Sequence, residues 1–279
     1  MHFKFRSPVL AIVSLVAFAV TLRADHVLFF GNSFTYGAEA PLVVLNGGVP
    51  KLFEEIARAK GRDVTAWSVT SGGKDWAWHL AQPATAKALA ERPWNWVVLQ
   101  DFSMRPTHIG NVAAFMHDGE TFSDRIAAAS PHAGIILYET WARPAVFFKG
   151  GVFTGPGQMM QELHTNYGNL DDDLVKRDAS RPARVALVGT SFARSESEFP
   201  AINLNAKDNH HSTAEGYYLA ALVIYETIYH DSAEGATATF FHGLLRIPPD
   251  KAADLQNVAD EIAGQAATTA PASPAAPGK

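Results

Sequence analysis

Residues 27–37 read Val27-Leu28-Phe29-Phe30-Gly31-Asn32-Ser33-Phe34-Thr35-Tyr36-Gly37, four large apolar side chains that stop at a glycine and give way to small polar residues. An apolar run with no polar alternation is the pattern of a strand covered on both faces, as in a parallel sheet flanked by helices. Gly31 permits a tight bend that a Cβ would hinder, so Asn32 and Ser33 are expected just past the carboxyl end of the strand. In open α/β sheets, ligands bind at that edge. Ser33 is therefore a candidate nucleophile, although a Gly-x-Ser triplet alone is more often an ordinary turn.

The base that such a serine requires is offered far downstream, at Asp208-Asn209-His210-His211-Ser212-Thr213-Ala214-Glu215-Gly216. A serine hydroxyl is a poor nucleophile until a general base takes its proton, and that base needs an orienting acceptor on its other ring nitrogen. An aspartate three residues before a histidine supplies both from one loop, which selects His211 over His210. Ser212 and Glu215 have capping-box spacing and predict a helix directly after His211. Taken alone, this segment is more often a capped turn with surface histidines. Read as metal ligands, Asp208, His210 and His211 sit too close along the chain to surround one ion, and no second donor cluster accompanies them. No metal or cofactor is expected.

Together these segments resemble the SGNH or GDSL-like hydrolase superfamily, in an exported bacterial branch whose first block reads Gly-Asn-Ser-Phe-Thr, here Gly31 to Thr35. The resemblance continues through Ser71-Gly72-Gly73 and ends at Asp208-x-x-His211 with Gly216-Tyr217-Tyr218-Leu219-Ala220-Ala221, covering residues 25–263. It implies an α/β three-layer sandwich, with a five-stranded parallel sheet in flavodoxin-like order, and a Ser33–His211–Asp208 triad. It also implies that the Gly72 N–H is an oxyanion donor, with Gly73 the fallback. Two departures stand out. The usual Gly-x-Asn-Asp block is replaced by Val97-Val98-Leu99-Gln100-Asp101-Phe102-Ser103, and Ser212 stands where a proline often follows the histidine. Gln100 is read as the substitute side-chain donor, with Asp101 and Ser103 as alternatives.

The composition is that of a globular domain. With 279 residues, 47% hydrophobic and 18% charged, the chain can bury a core and is neither disordered nor membrane-spanning as a whole. A formal charge of −5 without a long Lys/Arg run argues against nucleic acid as the primary partner. The absence of cysteine excludes disulfides, thiolate metal sites and a cysteine nucleophile. Lys4 and Arg6 precede the apolar stretch from Val9 to Leu22, and small and polar residues follow, which is the order of a signal peptide over 1–24, cut after Ala24. Export to the periplasm or the exterior follows, with no membrane span in the mature protein. Leu22 is bulky for its place before the cut, so an uncleaved anchor is the alternative. A catalytic domain is expected over 25–264 and a disordered Ala/Pro/Thr-rich tail over 265–279.

Four further apolar runs read as strands: Val64 to Val69, Trp96 to Gln100, Gly134 to Tyr138 and Arg184 to Gly189. Helical periodicity falls between them and after them. Pro50 opens a helix carrying Leu52, Phe53 and Ile56. Further helices are expected over 84–91 and 112–129, around Leu163, Tyr167, Leu170 and Leu174, and over 213–229 and 250–262. Residues 34–48 read as a long turn. His79 is placed at the pocket rim, with a core or surface position as its alternative, and Trp141 at the substrate side of the fourth strand. The glycine-rich stretch 142–158, with Phe147, Phe148 and Phe153, reads as a loop whose aromatics either stack on a sugar ring or anchor it to the core.

The reading that joins these features is a serine esterase acting through an acyl-enzyme. Its expected partner is a small-molecule or carbohydrate ester, O-acetylated carbohydrate first and lipid or short-chain acyl esters next. The rival is a non-catalytic carbohydrate-binding protein on the same fold.

Overall fold

The computed structural model describes residues 24–148 and 150–269, so residues 1–23 of the expected signal peptide and residues 270–279 of the expected tail lie outside it. The apolar runs form strands β1 (Asp25–Gly31), β2 (Val64–Thr70), β3 (Trp96–Leu99), β4 (Gly134–Tyr138) and β5 (Ala183–Ala186). They pair in parallel in the order β2-β1-β3-β4-β5. The chain leaves β1 for β2 on one side and then returns to place β3 on the other. The carboxyl end of β1 is thus a topological switch point, where such sheets open a crevice.

The helices, in chain order, are α1 (Ser33–Tyr36), α2 (Pro41–Asn46), α3 (Gly48–Ala59), α4 (Trp76–Ala81), α5 (Pro83–Ala90), α6 (Val112–Ala129), α7 (Pro156–Arg177), α8 (Val188–Glu198), α9 (Ala214–Tyr229) and α10 (Pro249–Thr269). Side chains alternate across a strand. Val27, Phe29, Val98, Ile136 and Tyr138 therefore pack under α3, α8, α9 and α10. Leu28, Phe30, Val97, Leu99, Ile135 and Leu137 pack under α4 to α7. Two cores on one sheet make the expected α/β sandwich.

The central helix of the first face is α9, in which every residue from Gly216 to Glu226 is buried. Burying a leucine or isoleucine is worth roughly 1.5–3 kcal/mol, so Leu219, Leu222, Ile224 and Ile228 anchor this layer and, through it, the loop that precedes α9. The cap differs from the expected box. Thr213 is the N-cap, its hydroxyl accepting the Gly216 N–H at 3.4 Å, while Ser212 is buried and donates to the Leu204 carbonyl at 2.8 Å.

Other boundaries also shift. The expected long turn at 34–48 contains α1 and α2. The fifth strand ends at Ala186 instead of Gly189, and α8 starts at Val188, where a Cβ on Gly189 would lie 2.2 Å from the Thr140 carbonyl oxygen. The last helix runs past Ile262 to Thr269, beyond the expected start of the tail at 265, as its run of alanines favours. A small hairpin, β6 (Thr239–Phe240) with β7 (Leu245–Arg246), is too short to leave a period in the sequence. Among the described residues, no helix is long and apolar enough to cross a membrane.

Candidate active site

The turn after β1 is built from below. A Cβ on Gly31 would lie 2.0 Å from the Thr35 hydroxyl and 2.8 Å from the Gln100 side-chain oxygen, so the glycine is needed for room. Gln100 Oε1 accepts the Asn32 N–H and the Thr35 hydroxyl, both at 2.9 Å. An N–H can only donate, which fixes the amide orientation. The Asn32 side chain accepts the Phe34 N–H at 3.2 Å and donates to the carbonyls of Lys74 at 2.9 Å and Asp101 at 3.4 Å. These bonds join the ends of β1, β2 and β3 around Ser33, which is 7% exposed at the start of α1.

Asp208 shapes the second loop with both oxygens. Oδ1 accepts the N–H groups of His210 and His211, each at 3.0 Å, while Oδ2 lies 2.6 Å from His211 Nδ1. The turn passes through Asn209 at φ 55°, a conformation asparagine tolerates. Burial tends to raise the Asp208 pKa. The hydrogen bonds from the His211 ring and amide, with the charges of His211 and Arg143, outweigh it and hold the carboxyl below its usual range. The loop is closed by Ala206 N–H to His211 O at 2.9 Å and Thr213 N–H to Leu204 O at 3.0 Å.

Phe34, the residue after the serine, brings the two loops together. Its ring centroid lies 5.7 Å from that of His211 and 5.2 Å from that of His210. On its other side it stacks on Trp141 at 4.0 Å, and Trp141 stacks on Phe192 at 4.5 Å. Both faces of Trp141 are therefore covered and the residue is 2% exposed, so its expected contact with substrate is replaced by a supporting role beneath the turn. Phe148 and Phe153 likewise join the core, favouring the anchoring alternative for the 142–158 loop.

Two more expected site residues lie beneath the surface. His79 is buried and donates from Nε2 to the Gly31 carbonyl at 2.9 Å. Burial pulls its pKa down, so it is a neutral clamp under the turn instead of a rim residue. Gln100 is also fully buried, and its amide nitrogen donates to the Asp101 carbonyl. That group was expected to face an oxyanion; here the side chain is committed to holding the turn. Gly72 sits close to Tyr36, where a Cβ would lie 3.1 Å from the phenol oxygen, and Gly73 occupies the left-handed region at φ 68°. Among the described residues, no backbone carbonyl accepts from the N–H of Gly72 or Gly73.

Three features had no signal in the sequence. Arg143, from the loop after β4, is buried and donates to the Ser103 hydroxyl at 3.1 Å. Burial pulls its pKa down to about 10, opposed by the Asp208 charge. Glu39, at φ 66°, brings a carboxylate oxygen beside the Asp208–His211 loop; this oxygen and one donor atom each of Asp208 and His211 lie within 4.8 Å of one another. The third is a cleft of about 780 Å³, which reaches Asn209 and Thr213 on either side of the histidines but not Ser33 itself. Its wall mixes Asn203, Asn205 and Lys207 with Leu42 and Leu245.

No protein-family model and no curated protein matches the sequence. Solved structures match by shape. A DUF4886 family protein from Bacteroides uniformis superposes with a TM-score of 0.64 at 17% identity, over 86% of this chain and 94% of its own. A candidate SGNH hydrolase from Slackia heliotrinireducens gives 0.56 at 24% identity, over 74% of this chain and 100% of its own. A variant of an acetyl-xylooligosaccharide esterase from Geobacillus stearothermophilus gives 0.52 at 16% identity, over 74% and 95%. At these identities the likeness speaks for architecture alone, and with the parallel sheet order above it establishes that the chain has the SGNH hydrolase fold.

Proposed function

We propose that the chain is an exported serine esterase that hydrolyses carboxylic esters through an acyl-enzyme on Ser33. The observation that carries this reading is the Asp208–His211 pair at 2.6 Å, set against Phe34 beside the serine at the switch-point edge of the sheet. Ser33 Oγ attacks the ester carbonyl carbon while His211 takes its proton, and the protonated ring gives that proton to the departing alcohol as the C–O bond breaks. Water, deprotonated by the same ring, then releases the acid and restores Ser33. Asp208 holds Nδ1–H and stabilises the imidazolium. The N–H groups of Ser33 and Gly72 receive the oxyanion.

An O-acetylated carbohydrate is the favoured substrate. A small acyl group suits a site closed beneath by Phe34, Trp141 and Phe192, and the amides of Asn203, Asn205 and Asn209 in the adjoining cleft suit the hydroxyls of a sugar leaving group. The test is labelling with a fluorophosphonate probe alongside a panel of aryl and sugar acetates and longer acyl esters. Stoichiometric label lost in Ser33→Ala, with acetates turned over fastest, is the expected result. A folded chain that binds acetylated sugars but takes no label would instead be a binding protein on a hydrolase fold.

A further inference from the structure

The commitment of Gln100 to the turn leaves the β3 edge without a side-chain amide for the oxyanion. The next polar side chains on that edge are Asp101 and Ser103. Asp101 faces inward: its Oδ1 accepts the N–H groups of Trp76 at 2.7 Å and Phe102 at 2.8 Å. Burial raises its pKa to about 7, and above that pH an ionised carboxylate would repel a developing negative charge. Ser103 is different. Its hydroxyl, in a residue 3% exposed, accepts from a guanidinium that can only donate, so the Ser103 proton remains to be given elsewhere. A cation behind a hydroxyl polarises it and makes it a stronger donor.

Placement favours the same conclusion. Ser103 and Arg143 span the carboxyl ends of β3 and β4, and β3 pairs directly with β1. Asn32 ties this edge to the nucleophile turn through the Asp101 carbonyl at 3.4 Å. Arg143 is 4% exposed, and a buried cation is expensive to hold. The Asp208 charge favours the charged form of Arg143, so a cation stands at this edge where electrostatic catalysis can draw on it. We propose that Ser103 donates the side-chain hydrogen bond to the oxyanion formed at Ser33, with Arg143 as the positioning residue that polarises the hydroxyl. This rests on the esterase reading and completes its site in a way Gln100 does not.

The experiment compares steady-state kinetics on an aryl acetate, and inhibition by an aryl trifluoromethyl ketone that forms a hemiketal oxyanion on the nucleophile. The proteins are the unaltered chain, Ser103→Ala, Arg143→Lys and Arg143→Met, each checked for folding by thermal melting. Ser103→Ala is expected to lower kcat about 100-fold with KM within about threefold, and to weaken the ketone by a similar factor. Arg143→Met should approach that loss, and Arg143→Lys, which keeps the cation, should recover part of it. A folded Ser103→Ala with kcat and ketone affinity within about threefold of the unaltered chain overturns the assignment, whatever the Arg143 variants do. So does a loss confined to KM. If the unaltered chain hydrolyses no ester and takes no fluorophosphonate, the esterase reading falls and this one with it; an active chain with an unimpaired Ser103→Ala defeats this one alone.

Discussion

Asp208–His211, in the loop before α9, and Glu139–His164, just after β4, are both histidine–carboxylate pairs. The first is local, three residues apart, with Oδ2 2.6 Å from Nδ1; its ring is 16% exposed and its carboxylate 35%. The second joins residues 25 apart at 2.9 Å, and its burial is inverted, with the carboxylate 0% and the ring 57% exposed. Both bonds orient an imidazole. The difference lies in what else each pair touches. His211 rests on Phe34 beside Ser33, whereas the Thr190 hydroxyl near His164 donates to Glu139 itself, and so does the Thr190 N–H. A carboxylate is a weaker base than an imidazole, and this one is already taken up by the Thr190 N–H and the His164 ring. The second pair is a clamp that fastens α7 and α8 to the end of β4, and a histidine–carboxylate bond by itself says nothing about catalysis.

The contrast is broken most directly by activity. His211→Ala is expected to lower ester turnover by about 10⁴-fold or more, while His164→Ala stays within about threefold; equal losses would erase the distinction. Gln100 sharpens it as a buried clamp inside the site. Gln100→Ala removes the acceptor of two buried donors, for a loss of about 2–4 kcal/mol in urea unfolding and a reduced kcat. Gln100→Glu keeps a side-chain oxygen to accept from Asn32 and Thr35, so it should be the milder change. The reverse ranking would return Gln100 to the role of an oxyanion donor.

Glu139→Ala should cost about 1–3 kcal/mol, because it removes the acceptor of the half-buried Thr190 N–H and hydroxyl, with little effect on turnover once folded. Asp208→Ala should do the opposite. The Glu139 hydrogen bond raises the His164 pKa from 6.5 in spite of burial. A raised folded-state value means that this contribution is fully present below pH 6.5 and fades as pH rises through the folded value. His164→Gln should therefore flatten the fall of the urea midpoint over that window, though only slightly, since the ring is largely exposed and solvent screens it. The smallest effect expected is that of His210→Ala. Its ring packs on Phe34 and lies 4.2 Å from that of His211, so removal should change kcat by no more than about threefold.

What could be read from the sequence was local. The five strands announce themselves as apolar runs, and Asp208 and His211 as neighbours in one loop. The fifth run misled because Val185 to Val188 is apolar across a strand end and a helix start, and apolarity alone does not mark that boundary. Gln100 and His79 lie where a ligand-facing residue would, but a polar side chain at a strand end can equally turn beneath the edge, and only the packing of Gly31 and Thr35 decides which. Trp141 was ambiguous for the same reason, since ring burial depends on what comes to lie above and below it. Arg143, Glu39 and the Glu139–His164 pair are purely tertiary, and no spacing along the chain encodes them.

The burial of α9 also has a consequence for timing during synthesis. The segment carrying Ser33 leaves the ribosome early, and β1, β2 and β3 can assemble around it by pairing with near neighbours. His211 emerges much later, on a loop held by a helix with almost no polar face to show to water. Chains grow and fold from the amino end, so a nascent chain holds Ser33 for most of its length without His211. On the esterase reading proposed above, hydrolytic competence should therefore switch on only when α9 docks on the sheet.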